Sequence, residues 1–294
     1  MKRFLLFLLI SLLSVVVYSQ ENNTNNWKMG GVISVNASQS SFSNWVAGGE
    51  NSYGGNAFLN LFANYKRNKH SWDNTLDLGF GMMKQGSRDL FKTDDKIDLS
   101  SIYGYQASQH WYYSALLSFK TQFYEGKKSM DDTTKISNFM APAYLTISLG
   151  MDYKPVENFS LFISPASLRL TFVLDDILSD QGAFGVDHGK KMRLEFGGYV
   201  RALYRIELWR NVNYATKLEL FTNYLSKPQN VDVNWENTIN FKFNDFLSAN
   251  FYLTLFYDDD SRILVVEDDG TTKNTPKLQV REIFGVGLTY KFNR

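Results

Sequence analysis

The sequence predicts an all-β fold: a transmembrane antiparallel β-barrel of twelve strands with both termini on the periplasmic side. Three observations carry this expectation. Apolar and polar residues alternate with period two in segment after segment. Each segment is at least as long as the ~9 to 11 residues a tilted strand needs to cross a bilayer. The connections between segments alternate short and long along the chain, as they do when periplasmic turns are tight and outer loops are long.

The first nineteen residues read as a secretory signal peptide. Lys2 and Arg3 form a short basic region, and Phe4 to Val17 form an almost unbroken apolar run. That run is shorter than the ~20 residues of a spanning helix. Val17 and Ser19 suit cleavage after Ser19, so residues 20–29 form a short polar segment and the barrel domain is expected over 30–294. The chain has no Cys, which excludes disulfides, thiolate metal sites and a lipidated N-terminal Cys. A net charge of +1 gives no electrostatic case for a nucleic-acid partner. Aromatic residues make up 16% of the chain, yet its mean hydropathy is negative. That combination suits a barrel, because lipid-facing and lumen-facing residues cancel in an average.

Strands are expected at 30–41, 56–66, 71–83, 96–108, 111–123, 143–154, 158–173, 191–206, 211–224, 231–243, 246–257 and 279–292. Residues 231–243 are the cleanest: Val231, Val233, Trp235, Ile239 and Phe241 share one face, and Asp232, Asn234, Glu236, Thr238, Asn240 and Lys242 the other. The last segment repeats the pattern, with Phe284, Val286, Leu288, Tyr290 and Phe292 against Gly285, Gly287, Thr289 and Lys291. Long connections are expected at 42–55, 84–95, 124–142, 174–190 and 258–278, with a shorter one at 225–230. A soluble β-sandwich also alternates. The strict short-long order, the strand lengths, and aromatics that follow aliphatic runs, as Phe80 follows Leu76 and Leu78, favour the membrane barrel with an interfacial girdle.

One segment changes phase. Phe159, Leu161 and Ile163 are apolar at odd positions, but Leu168, Leu170 and Phe172 at even ones. Proline cannot donate to a ladder, so a bulge or bend is expected at Ser164, Pro165 and Ala166.

The most distinctive stretch is FSNWVAGGENSYGG at 42–55. Gly48 and Gly49 permit a tight turn, and Trp45 can anchor the loop against or inside the barrel mouth. Asn44, Trp45, Gly48, Gly49, Asn51 and Ser52, with Ile163 to Pro165 and Leu170 to Val173 further on, resemble the DUF3078 family of Bacteroidetes outer-membrane proteins. The resemblance implies fold and localisation rather than activity. Such barrels commonly finish on an aromatic residue, whereas this chain continues past Phe292 with Asn293 and Arg294.

Candidate lumen charges follow from strand parity. The segment at 191–206 places Arg193, Glu195, Tyr199, Arg201 and Arg205 on one face, and its neighbour adds Lys217 and Glu219. Asp73, Asp77, Asp98, Asp232 and Glu236 are acidic candidates. Charges at membrane depth must pair or meet water. A twelve-stranded barrel lies between side-chain-filled eight-stranded barrels and open porins, so both a salt-bridged interior and a thin channel fit. In a channel, the basic strip favours anionic solutes.

Acidic clusters such as Asp258 to Asp260 lie mostly in long loops and lack the spacing of a calcium loop. No residue pattern calls for a metal or another cofactor. His70 and His110 fall in or beside short turns, and Asp187 with His188 at the end of a long loop is the one arrangement that suggests a surface hydrolase. The expected location is therefore the outer membrane of a Gram-negative bacterium after signal-directed export. The expected partners are outer-membrane lipid and lipopolysaccharide, with the assembly machinery during insertion. The function expected first is a narrow channel for small, anionic solutes; a closed structural or assembly barrel acting through partners is the alternative, and a surface hydrolase the third.

Overall fold

The computed structural model describes residues 26–43, 50–260, 262–266 and 272–293. The expected signal peptide and Asn44, Trp45, Gly48 and Gly49 of the first long loop lie outside the described residues.

Twelve strands close into one antiparallel barrel. In chain order they are β1 (Trp27–Ser40), β2 (Ser52–Arg67), β3 (His70–Gln85), β4 (Phe91–Gln106), β5 (Trp111–Thr121), β8 (Ala143–Tyr153), β9 (Phe159–Phe172), β10 (Met192–Trp209), β11 (Val212–Asn223), β12 (Asp232–Lys242), β13 (Leu247–Tyr257) and β16 (Gln279–Asn293). Two hairpins stand apart from the barrel in the long loops: β6 (Gly126–Ser129) with β7 (Asp132–Ser137), and β14 (Arg262–Val266) with β15 (Thr272–Pro276). Each barrel strand pairs with the next one along the chain, and β1 pairs with β16 to close the ring, aligning Ser34 with Thr289. Closure matters because an open edge leaves backbone N–H and C=O groups unsatisfied in a medium without water.

All twelve expected strands are present, because a period of two over 11 to 18 residues is a long local signal. Several boundaries differ. β1 opens at Trp27, three residues ahead of the expected barrel start, β2 opens at Ser52, inside the expected 42–55 loop, β4 opens at Phe91, inside the expected 84–95 loop, and β10 runs on to Trp209, past the expected 206. Thr93, Asp94 and Asp95 look like loop residues, but Asp94 turns inward to Arg281, and Asp95 accepts from Lys92 and from the backbone N–H groups of Phe123 and Tyr124. Both hairpins fall within spans read as plain loops, since ladders of four to six residues are too short to carry an alternating apolar period.

The exterior is apolar. Leu149 of β8, Leu194 of β10 and Leu288 of β16 are 63%, 55% and 65% exposed. Aromatic rings gather where the strands meet the short turns, as in Trp27 against Tyr65 at 5.2 Å and Trp111 against Tyr153 at 4.8 Å. Trp72 Nε1 donates to Ser101 Oγ at 2.8 Å and Trp235 Nε1 to Thr216 Oγ1 at 2.8 Å, so these outward indoles keep their hydrogen bonds without water. Among the described residues no helix is long and apolar enough to cross a membrane.

The phase change in β9 is a bulge. Ser167 faces Gly197 and Ser164 faces Tyr199, so three steps along β9 match two along β10, and the same slip recurs against β8 between Leu149 and Met151. Ser164 Oγ donates to the Leu149 carbonyl at 2.8 Å, tying the bulge to the neighbouring strand. The strands approach so closely there that a Cβ on Gly150 would stand 2.1 Å from the Ile163 carbonyl oxygen.

Above the long-loop rim, the loop from β9 to β10 carries a short helix, α1 (Asp176–Asp180), capped by Asp175, whose side chain accepts from Leu178 N–H at 3.3 Å. Leu178 packs with Ala141, Val173 and Val186, and Phe184 closes over this cluster. Lys135 of β7 pairs with Asp175 at 2.9 Å, and Arg88 bridges Glu50 and Asp131 at 3.0 and 2.9 Å, so four loops are linked.

Candidate functional site

The strand parity turns one face of every strand into the lumen, and the side chains there divide into two unequal halves. On the β4, β5, β9, β10 and β11 side, Ile102, Leu116, Phe162, Tyr199 and Phe221 form a buried cluster inside the barrel. On the β2, β3 and β16 side, Asn60, Thr75, Asp77 and Ile283 are only half-buried.

Between the halves lies a network of ion pairs. Lys217 meets Asp98 at 2.7 Å and Glu236 at 3.2 Å, and Lys96 meets Glu236 at 2.6 Å and Asp98 at 3.6 Å. Lys120 pairs with Glu219, which also accepts from Tyr199 Oη at 2.7 Å and Asn234 Nδ2 at 2.9 Å. Each carboxylate is thus met by at least one cation, and Glu219 and Glu236 by further donors, which is what offsets the desolvation of buried charge. Toward the short turns, Lys154 bridges Asp73 at 2.6 Å and Asp152 at 3.1 Å. Toward the long loops, Arg169 pairs with Asp232 at 2.6 Å and lies 3.7 Å over the Phe221 ring. Arg193 meets Glu195 at 3.0 Å and Asp260 at 2.6 Å.

A cavity of about 370 Å³ lies between this network and the loops. Lys120, Tyr199 and Glu219 line it from the network, Arg169 and Asp232 from the wall, and Phe184 from the loop above.

All six charges named from the strand pattern point into the barrel, but they do not form one basic strip. Arg193, Glu195, Lys217 and Glu219 are built into ion pairs. Arg201 and Arg205 have no ion pair or side-chain hydrogen bond among the described residues. Lys96, Lys120, Lys154, Arg169, Asp152 and Arg281 were not singled out, although parity marks them: Lys120 is in phase with Ser114 and Ser118, and Arg169 is in phase with Ser167 and Thr171 once the bulge is allowed for. Of the loop signature, Asn51 is described. Its side chain accepts from Phe42 N–H at 2.6 Å and its carbonyl from Gly86 N–H at 2.8 Å, so it braces the first long loop against the second. His188, the candidate hydrolase base, directs Nδ1 at the Asp180 carbonyl, 2.8 Å away. Among the described residues no cluster of His, Asp and Glu could hold a metal ion.

A closed ring of long antiparallel strands with an apolar exterior and a charged interior defines a transmembrane β-barrel. Residues 37–126 match the family described as Protein of unknown function (DUF3078). Among solved structures the chain is similar to an outer membrane channel from Pseudomonas putida F1, at 12% identity and a TM-score of 0.39, covering 94% of this chain and 100% of that one. It is also similar to the translocator domain of the autotransporter NalP from Neisseria meningitidis, at 10% identity and a TM-score of 0.35, covering 96% and 94%, and to the NanC porin, at 9% identity and a TM-score of 0.34, covering 88% and 98%. No functionally curated protein matches the chain.

Proposed function

We propose that the protein is an outer-membrane barrel that passes small charged solutes along one side of its lumen, with the ion-pair network as the constriction. The observation that supports this reading is the uneven filling. The β4 to β11 side is packed with Phe162, Phe221 and their neighbours, while Asn60, Thr75 and Asp77 opposite keep contact with solvent. In this reading the long-loop end faces outward and both termini face the periplasm, where tight turns belong. The apolar belt sits against outer-membrane lipid, the loops meet lipopolysaccharide, and the assembly machinery receives the chain after signal-directed export.

Purified protein in planar bilayers tests this. Unitary conductance that falls when Arg201 or Arg205 becomes Glu is expected. Silence across salt and voltage would overturn the channel and leave a closed barrel that acts through its loops, a reading that the cross-lumen pairing of Lys217 with Asp98 and Glu236 also favours.

A further inference from the structure

The cations inside the barrel are paired with carboxylates almost throughout. Lys96, Lys120, Lys154, Arg169, Lys217 and Arg281 each have a carboxylate within ion-pair distance. Arg201 and Arg205 break the pattern. Arg201 is 7% exposed, yet its guanidinium makes no hydrogen bond or ion pair among the described residues. Its direct cross-strand neighbour is Glu219, whose oxygens are taken by Lys120, Tyr199 and Asn234. Arg205 lies four residues further along the same inward face, toward the short turns.

A matching exception stands on the facing wall. Asp77 on β3 accepts a hydrogen bond from Asn60 Nδ2 and has no ion-pair partner among the described residues. Four strands separate β3 from β10 one way around the ring and six the other, so the two walls are nearly opposite. No pair forms between Asp77 and either arginine. Opposite charges therefore stand on facing walls, and a buried guanidinium that makes no hydrogen bond or ion pair among the described residues, with a neighbouring Glu219 already shared with Lys120, is a group whose desolvation is only partly offset.

We propose that Arg201 and Arg205 on one wall and Asp77 on the other form a subsite for small amphoteric solutes carrying both a carboxylate and an ammonium group. The guanidinium fork takes the carboxylate through paired N–H donors. Asp77, oriented by Asn60, takes the ammonium. A solute with either charge alone satisfies one wall and leaves the other unpaired, so the site selects by pairing both. This rests on the channel reading for its role in transport, but the binding it predicts does not require conduction.

Glycine, acetate and methylammonium are compared by saturation-transfer NMR on the protein in detergent micelles, and by flux into proteoliposomes. Glycine is expected to bind about tenfold more tightly than either single ion, the effect of one additional charge-assisted hydrogen-bonded contact. Asp77→Asn is expected to bring glycine down to the level of acetate, and Arg205→Gln to the level of methylammonium. Arg205 is solvent-exposed, so the second variant does not depend on tolerance of the core. The double exchange Asp77→Lys with Arg205→Asp is expected to restore the preference for glycine. Equal binding of glycine and acetate, or no binding by any of the three, overturns the proposal. Glycine binding without flux for any solute leaves the subsite standing and removes the channel.

Discussion

Lys217 on β11 places its Nζ 2.7 Å from Asp98 Oδ2 on β4, although four strands separate the two around the ring. The contact crosses the barrel interior rather than following its wall. It joins sides of the barrel that no backbone ladder connects, and Lys96 and Glu236 extend it into a four-membered cluster.

Breaking that contact from one side should be costly. Lys217→Met leaves Asp98, itself 2% exposed, with only Lys96 at 3.6 Å, and is expected to destabilise the barrel by about 3 kcal/mol. Lys217→Met combined with Asp98→Leu should recover much of that loss, because no orphan carboxylate remains. Urea unfolding in lipid vesicles, read by Trp fluorescence, checks both variants. A double variant weaker than the single one would show that the cluster acts by more than charge pairing.

The bulge in β9 sets the phase of everything after it. Deleting Pro165 removes the extra residue that lets three steps on β9 match two on β10. Either Arg169 then turns toward lipid and Leu168 and Leu170 turn inward, or the ladder slips by one residue. The expected outcome is failure to reach the compact, heat-modifiable form on gels, whereas Pro165→Ala, which keeps the residue count, should fold.

The lipid-facing surface makes a depth-dependent prediction. Leu149 is near the middle of β8 and 63% exposed. Leu149→Arg should cost about 2 to 4 kcal/mol in vesicles, while Trp209→Arg at the short-turn rim should cost no more than about 1 kcal/mol. Equal penalties at both positions would argue against a hydrocarbon environment at Leu149.

Asp175 couples the β6–β7 hairpin to α1 outside the membrane-spanning strands. Hydrogen bonds from Lys135, Asn138 and the Leu178 N–H hold its carboxyl down to about 2, against the opposing effect of burial. The folded pKa lies below the ordinary value of 3.8, so this latch is fully present above about pH 4 and is lost as the pH falls toward 2. Protection of the Leu178 and Ser179 amides against hydrogen exchange, taken relative to the intrinsic rate at each pH, should be high at neutral pH and fall through that window. Asp175→Ala should give low protection at every pH, with about 1 kcal/mol lost from the loop through removal of the cap.

The strands, their order and the inward or outward direction of their side chains were legible in the sequence, because each depends on a period of two that runs for 11 residues or more. Even the irregularity at Pro165 was visible as a change of parity. The two loop hairpins and the start of β4 were not, since β6, β7 and β15 are mostly polar, β14 is a five-residue run too short to show a period, and the start of β4 depends on contacts such as Asp95 with the Phe123 and Tyr124 amides.

What the sequence alone determined is which side chains enter the lumen: Arg193, Glu195, Arg201, Arg205, Lys217 and Glu219 all point there for a local geometric reason. Only the tertiary structure decided which of them are spent on one another. Ion pairs across a barrel depend on closure and on the register accumulated around the ring, and no stretch of β10 or β11 encodes the height at which β4 or β5 stands opposite. That accumulated register pairs Lys217 with Asp98 and leaves Arg201, Arg205 and Asp77 without an ion pair among the described residues.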